Sequence, residues 1–206
     1  MLILFVGKIF NMKKLLLILI LTLSFESLTK ADDIRDFEIE GMSVGDSLLD
    51  FMTINEINSS KLNYVSDNKK YYAVGYYKNL NTYDGVDIYL KKNDTKYIIR
   101  TIGGMIAMNK SNCLKKRQLI VKELRELFSN AVEKNYEGVS HSFDKTGETK
   151  TYQTGFLLKN DNDDDHVRIE CTDWSKNFEK NNGYTDNLSV GAFTKEILLW
   201  FRSGYN

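Results

Sequence analysis

The chain has 206 residues, of which 42% are hydrophobic and 27% charged, and its 28 basic side chains equal its 28 acidic ones in number. A chain of this length can bury a sizeable hydrophobic core. It has no excess of lysine and arginine to neutralise phosphates, so the composition excludes a nucleic acid as the expected partner.

The N-terminus has the three-part layout of a secretory signal peptide. Two lysines precede an apolar run from Leu15 to Leu23, and a small-residue site ends at Ala31. The run of roughly ten residues is shorter than the ~20 needed to span a bilayer. We therefore predict a signal peptide over residues 1–31, with Met12 as the true start and cleavage after Ala31. An uncleaved anchor is the alternative.

Cleavage would release an exported chain, residues 32–206, with 24 basic and 27 acidic side chains and no stable membrane span. Its predicted location is periplasmic or extracellular. Both cysteines, Cys113 and Cys171, lie in this part. Two cysteines in an oxidising compartment indicate one disulfide. Neither cysteine belongs to a C-x-x-C pair of the kind that binds zinc. We therefore predict a disulfide between them.

The exported chain is predicted to begin with a strand and a helix. The stretch "DFEIE" alternates apolar and charged residues, which is typical of a half-exposed strand. In "GMSVGDSLLD", Ser43 and Asp46 have the spacing of a capping box, so the sequence predicts that a helix begins at Ser43. Thr53 and Glu56 repeat this pattern and predict a second short helix. The apolar positions that would share one face of the first helix are Val44, Leu48, Phe51 and Met52.

Two sets of strands and a long helix are predicted next. The strand segments are rich in aromatic and β-branched residues, and their short polar connections are typical of antiparallel hairpins. Asn112 is predicted to cap an amphipathic helix that extends to Lys134, and the closing segment 195–206 predicts a docked terminal helix. The predicted strands are 71–77, 86–91 and 97–108 in the first set and 152–159, 167–174 and 187–194 in the second.

This order of elements predicts an α+β fold, in which helices pack on an antiparallel sheet. It also suggests two α-β-β-β units followed by a C-terminal helix. The domain prediction is a single exported domain over 32–206, and the alternative is a pair of subunits, 38–110 and 111–206.

Gly41, Met42 and Ser43, followed by three hairpin-like strands, resemble the G-M-[ST] helix start of small envelope modules. These modules are the SmpA/OmlA lipoproteins of outer-membrane assembly and the beta-lactamase inhibitor proteins. The resemblance covers residues 38–108 and implies a scaffold or binding role without an active site. The chain departs from that pattern because it lacks the lipid-bearing cysteine and a glycine–proline turn after the helix. The same stretch is also similar to the openings of small exported proteins of unassigned function.

The segment Gly45-Asp46-Ser47-Leu48 matches the nucleophile block of the GDSL hydrolases. That resemblance implies Ser47 as nucleophile, His166 as base and Asp163 as the orienting carboxylate. Three features disfavour it. The preceding strand carries alternating charges where a central parallel strand is apolar, a G-x-N-D block is absent, and the predicted strands form hairpins. We therefore expect no catalytic residues, and a serine esterase is the alternative.

An acidic loop contains Asp161, Asp163 and Asp165 at alternate positions, as at the opening of a calcium loop. His166 and Thr172 stand where an EF-hand has its turn glycine and its bidentate glutamate. A solvated loop is therefore favoured, with an opportunistic calcium site as the alternative. No metal or cofactor is expected.

These expectations together predict a small exported protein with a binding, scaffold or envelope-maintenance role. Its partner would be an envelope protein or a small ligand. The alternative function is a GDSL-type esterase or acyl hydrolase that uses Ser47.

Overall fold

The computed structural model describes residues 33–63, 70–158 and 165–203 of the protein. The predicted signal peptide lies outside these ranges, as do Asp161 and Asp163 of the acidic loop. The described residues belong to one compact unit. No helix within them is long and apolar enough to cross a membrane.

Nine strands and four α-helices lie within these ranges, together with short 3-10 helices at Ile34–Asp36 and Leu48–Asp50. The helices are α1 (Ile54–Ser59), α2 (Lys110–Leu127), α3 (Lys176–Asn182) and α4 (Lys195–Arg202). The strands are β1 (Glu38–Ile39), β2 (Met42–Ser43), β3 (Tyr71–Tyr76), β4 (Gly85–Lys91), β5 (Ile99–Ala107), β6 (Val132–Ser140), β7 (Lys150–Leu158), β8 (Asp165–Asp173) and β9 (Asn187–Phe193).

Seven of the strands form one antiparallel sheet in the order β3-β4-β5-β9-β8-β7-β6, and β1 pairs with β2 in a separate hairpin. The last strand, β9, returns to the middle of the sheet and pairs with both β5 and β8. The two sets of strands are therefore continuous with each other. The α+β fold with an antiparallel sheet is confirmed, and the second set has four strands where the sequence predicted three.

One face of the sheet, the covered face, packs against α2 and the N-terminal segment. Val121 and Leu124 of α2 are buried in one hydrophobic cluster with Ile169 of β8 and Val190 of β9. Burying a side chain of this size contributes about 1.5–3 kcal/mol. The disulfide between Cys113 of α2 and Cys171 of β8 crosses this interface, which confirms the predicted pairing. The long helix is therefore fixed to the sheet by both packing and a covalent link.

The opposite face carries α4 at one end. Trp200 of α4 is buried against Tyr71 and Ala73 of β3, and its ring centroid lies 4.9 Å from that of Tyr71. The helix begins after Thr194, and the backbone N–H of Lys195 donates to the Asp165 carboxylate at 2.7 Å. The predicted docked terminal helix is thus confirmed.

The predicted helix at Ser43 is wrong. Ser43 lies in β2, and only the short 3-10 helix Leu48–Asp50 follows it. The Asp46 carboxylate does accept from the Ser43 backbone N–H at 2.8 Å, as in a capping box. The backbone is left-handed at Glu40, Gly41 and Gly45 (φ 53°, 78° and 97°), which forms a tight hairpin in place of a helix. The local hydrogen bond therefore formed without the helix that it normally starts.

The second predicted capping box is confirmed: Thr53 and Glu56 cap α1 reciprocally. The long helix starts three residues earlier than predicted, because Asn109 and not Asn112 caps it. It also ends at Leu127, since the chain turns there and Val132–Ser140 forms edge strand β6. That strand is mostly polar and exposed, so hydrophobic alternation could not reveal it.

Candidate functional site

The uncovered part of the sheet beside α4 is the candidate functional site. Because side chains alternate across a strand, the strand register places whole rows of residues on the face opposite α2. We call this the open face. One row crosses all seven strands, and four of its seven members are glycine. In strand order from β3 to β6, this glycine row is Gly75, Asp87, Gly103, Gly191, Arg168, Gly155 and Lys134.

Two further rows flank the glycine row. The row on the α4 side is partly covered, since Trp200 contacts Tyr89 and Phe201 contacts Phe193 edge-on. The row on the other side is mixed polar and apolar. Its members, from β4 to β6, are Gly85, Met105, Ser189, Glu170, Gln153 and Tyr136.

Aromatic rings of the chain itself fill some of the gaps above these glycines. A Cβ atom at Gly75 would lie 2.6 Å from the Tyr77 ring, and one at Gly85 would lie 2.7 Å from the same ring. A Cβ at Gly191 would lie 2.8 Å from the Phe193 ring. At these positions the glycine is explained by an internal packing requirement.

Gly103 and Gly155 have no ring above them. A Cβ at Gly103 would meet only backbone, with Val190 O at 3.8 Å and the Gly191 Cα at 4.0 Å. A Cβ at Gly155 would meet only the Gln153 Nε2, at 3.8 Å. Glycine in a strand interior weakens the strand and often marks a position where another molecule approaches the backbone. These two positions are therefore unexplained by the fold itself.

Two cations flank Gly155 in the glycine row. The Arg168 guanidinium lies 4.6 Å above the centre of the Phe193 ring, and Arg168 is half-buried, whereas Lys134 is exposed. Neither forms an ion pair with a described residue. On the covered face of β6, which is the strand that carries Lys134, the side chains of Glu133 and Glu137 pair with arginines of α2. The open face thus carries two positive charges beside a glycine, and neither is in an ion pair with a carboxylate of residues 33–63, 70–158 or 165–203.

Large apolar groups are exposed on the same face. Tyr77 is 63% exposed, Met105 43% and Tyr136 46%. Exposed tyrosine and methionine are typical of protein interfaces. The face therefore combines a flat floor with apolar and charged groups.

Ser47 and His166, the two described residues of the alternative serine triad, are not hydrogen-bonded to each other. The Ser47 hydroxyl donates to the Lys96 carbonyl at 2.8 Å and accepts from the Leu49 N–H. Ser47 belongs to the N-terminal segment that packs on the covered face. His166 lies on the other face against the Phe193 ring, and burial lowers its pKa to about 3. Asp163 lies outside the described residues.

The one described member of the acidic triplet, Asp165, is buried, and its carboxylate caps α4. Across residues 33–63, 70–158 and 165–203, no group of three His, Cys, Asp or Glu side chains could hold a metal ion. The calcium alternative would use Asp161, Asp163 and Asp165, and Asp165 already has this structural role.

Asp144 is a structural centre that the sequence analysis did not identify. Its carboxylate accepts hydrogen bonds from the N–H and hydroxyl groups of Thr146 and Thr149 and from the Ser175 hydroxyl. Hydroxyl donors lower the pKa of Asp144 far below its usual range. The spacing D-x-T-x-x-T is the signal that could have found it. The loop between β6 and β7 is thereby tied to the start of α3.

The end of the open face near α3 carries an aromatic cluster. Trp174 stacks on Phe178 and on Tyr184, with ring centroids 5.0 and 4.5 Å away, and His141 packs against it at 4.7 Å. Burial lowers the pKa of His141, Glu170 raises it and Arg168 lowers it, so His141 lies within electrostatic range of the open face. This cluster and α4 bound the glycine row on its two sides.

Comparison with protein-family models, with curated proteins and with solved structures found no match to this chain. The site is therefore interpreted from its own geometry.

Proposed function

We propose that the protein is an exported binding or scaffold protein of the cell envelope and that it binds a partner protein through the open face. The observation that carries this proposal is the pair of uncovered glycines, Gly103 and Gly155, in a row whose other gaps are filled by the chain's own rings. Each glycine costs strand stability. A partner that lies directly on the backbone would explain why no larger side chain stands there.

The location is part of the same proposal. A signal-like N-terminus over residues 1–31 and a disulfide between Cys113 and Cys171 both fit a periplasmic or extracellular protein. The resemblance to small envelope modules with a G-M-[ST] start fits a scaffold role there. Ser47 already hydrogen-bonds to the Lys96 carbonyl, which favours binding over acyl transfer.

In-cell photo-crosslinking tests the proposal. A benzophenone amino acid replaces Met105 on the open face or, as the matched control, Leu119 on α2, which is 66% exposed. In cells that naturally make the protein, we expect an adduct of defined mass from position 105 and none from position 119. Equal adducts from both positions, or none from position 105, would contradict the proposal.

A further inference from the structure

We infer that the open face recognises an acidic segment of the partner protein, in which a carboxylate binds between Arg168 and Lys134 and an apolar or aromatic side chain lies over Gly103. This inference rests on the proposed function and specifies the chemistry of the partner. It follows from the charges beside Gly155, from the free space above Gly103 and from the distance between these two uncovered glycines.

The charged residues beside Gly155 indicate which chemical group of the partner would bind there. Arg168 and Lys134 are its direct neighbours on β8 and β6. The Arg168 guanidinium lies over the Phe193 ring, and such stacking leaves the N–H groups at the guanidinium edge available for a carboxylate. The Gln153 amide lies beside the same position. Two cationic residues therefore neighbour Gly155 in the strand register and an amide donor lies beside it, which favours an anion there.

Glu170 limits the direction from which that anion can approach. It lies on the open face two residues along β8 from Arg168, opposite Gln153 and Ser189 of the neighbouring strands. Its charge repels a carboxylate from that side. The partner's acid is therefore expected on the Lys134 side of Arg168, directly over Gly155.

The free space above Gly103 indicates which side chain of the partner would fit there. The backbone of β5 and β9 forms its floor, and Met105 and Tyr77 provide exposed apolar surface beside it. Asp87 flanks Gly103 in the row and disfavours a second acid at this position. A flat ring or a branched aliphatic side chain would bury apolar area here without a clash.

Distance sets the spacing of the two partner residues. Gly103 and Gly155 are three strand spacings apart, which is ~14 Å at about 4.8 Å per strand. An extended peptide covers ~14 Å in about four residues. Residues i and i+4 of an extended peptide point to the same side. The expected motif is therefore an apolar or aromatic residue and an acid separated by three residues.

A random twelve-residue peptide library displayed on phage tests the inference with purified, oxidised protein. After selection on the wild-type protein and depletion on the Arg168→Met/Lys134→Met double variant, we expect enriched peptides with an aromatic or aliphatic residue four positions from Asp or Glu. The best synthetic peptide should bind the double variant about tenfold or more weakly. Lys116→Met/Lys122→Met on α2 is the matched control and should bind normally.

Charge reversal gives the decisive comparison. A peptide whose acid is replaced by lysine should lose binding to the wild-type protein and regain it on Arg168→Glu/Lys134→Glu. Peptides without an acid, or equal binding by the double variant and wild type, would overturn the inference, as would a library without any binder. If Met105 still crosslinks in cells in that case, the proposed function stands and only the partner chemistry is wrong.

Discussion

Replacing Gly103 by alanine is predicted to stabilise the protein. The added Cβ would meet only backbone atoms at 3.8 and 4.0 Å, which are ordinary van der Waals distances. Gly103 lies inside β5 and does not have a positive φ. Glycine in a strand costs about 0.5–1 kcal/mol relative to alanine, so the free energy of unfolding should rise by that amount. For a domain of this size the Tm should rise by about 1–4 °C.

The adjacent glycine supplies the control. A Cβ at Gly104 would lie 2.4 Å from the Tyr83 ring on the covered face, so Gly104→Ala must displace that ring and should lower stability by about 1–3 kcal/mol. Both substitutions remove the same glycine flexibility, and their difference isolates the steric contribution. Urea unfolding of the oxidised proteins, followed by circular dichroism, measures both. A destabilised Gly103→Ala, or equal effects at the two positions, would refute the reasoning.

Three further predictions concern the disulfide, the histidine on the open face and the serine. Reducing the Cys113–Cys171 disulfide, which spans 58 residues of sequence, should lower the free energy of unfolding by ~4 kcal/mol in the chain-entropy model, as urea unfolding with and without reductant would show. Because the pKa of His166 is about 3 when folded and about 6.5 when unfolded, the unfolded chain binds the extra proton between these values, and stability should fall as the pH drops through this window. The contribution of His166 to this pH dependence, at most about 1.4 kcal/mol per pH unit, should be absent in His166→Gln between pH 6.5 and 4. An unchanged pH dependence of the free energy of unfolding in this variant would contradict the prediction. A fluorophosphonate probe should not label Ser47 in the folded protein, and labelling that disappears in Ser47→Ala would instead support the hydrolase alternative.

The strands of the first set could be predicted from sequence because their aromatic and β-branched residues form local patterns. β3, β4 and β5 start and end within two residues of the segments predicted for them. The edge strand β6 was missed because its glutamates pair with arginines of α2, which only the tertiary fold reveals. The Ser43 helix failed because left-handed residues before and after it form a hairpin.

The open face could not be predicted because its glycines are far apart in sequence. Gly75, Gly103, Gly155 and Gly191 form one row only through the register of the strands, in which β9, the last strand of the chain, lies between β5 and β8. Even the adjacent glycines Gly103 and Gly104 have different roles, because their added Cβ atoms would point to opposite faces of the sheet. Gly104 accommodates Tyr83, and Gly103 has no ring above it.

The most direct test of the binding face combines photo-crosslinking with a substitution that fills the space above Gly103. Gly103→Leu in the protein with the benzophenone at position 105 places a side chain where the partner is proposed to lie, at a site where the added Cβ meets backbone atoms at ordinary van der Waals distances. We predict that this variant stays folded, as a cooperative thermal transition would show, and that it loses the adduct in cells. A folded variant that keeps the full adduct would contradict the claim that the partner lies on the glycine row.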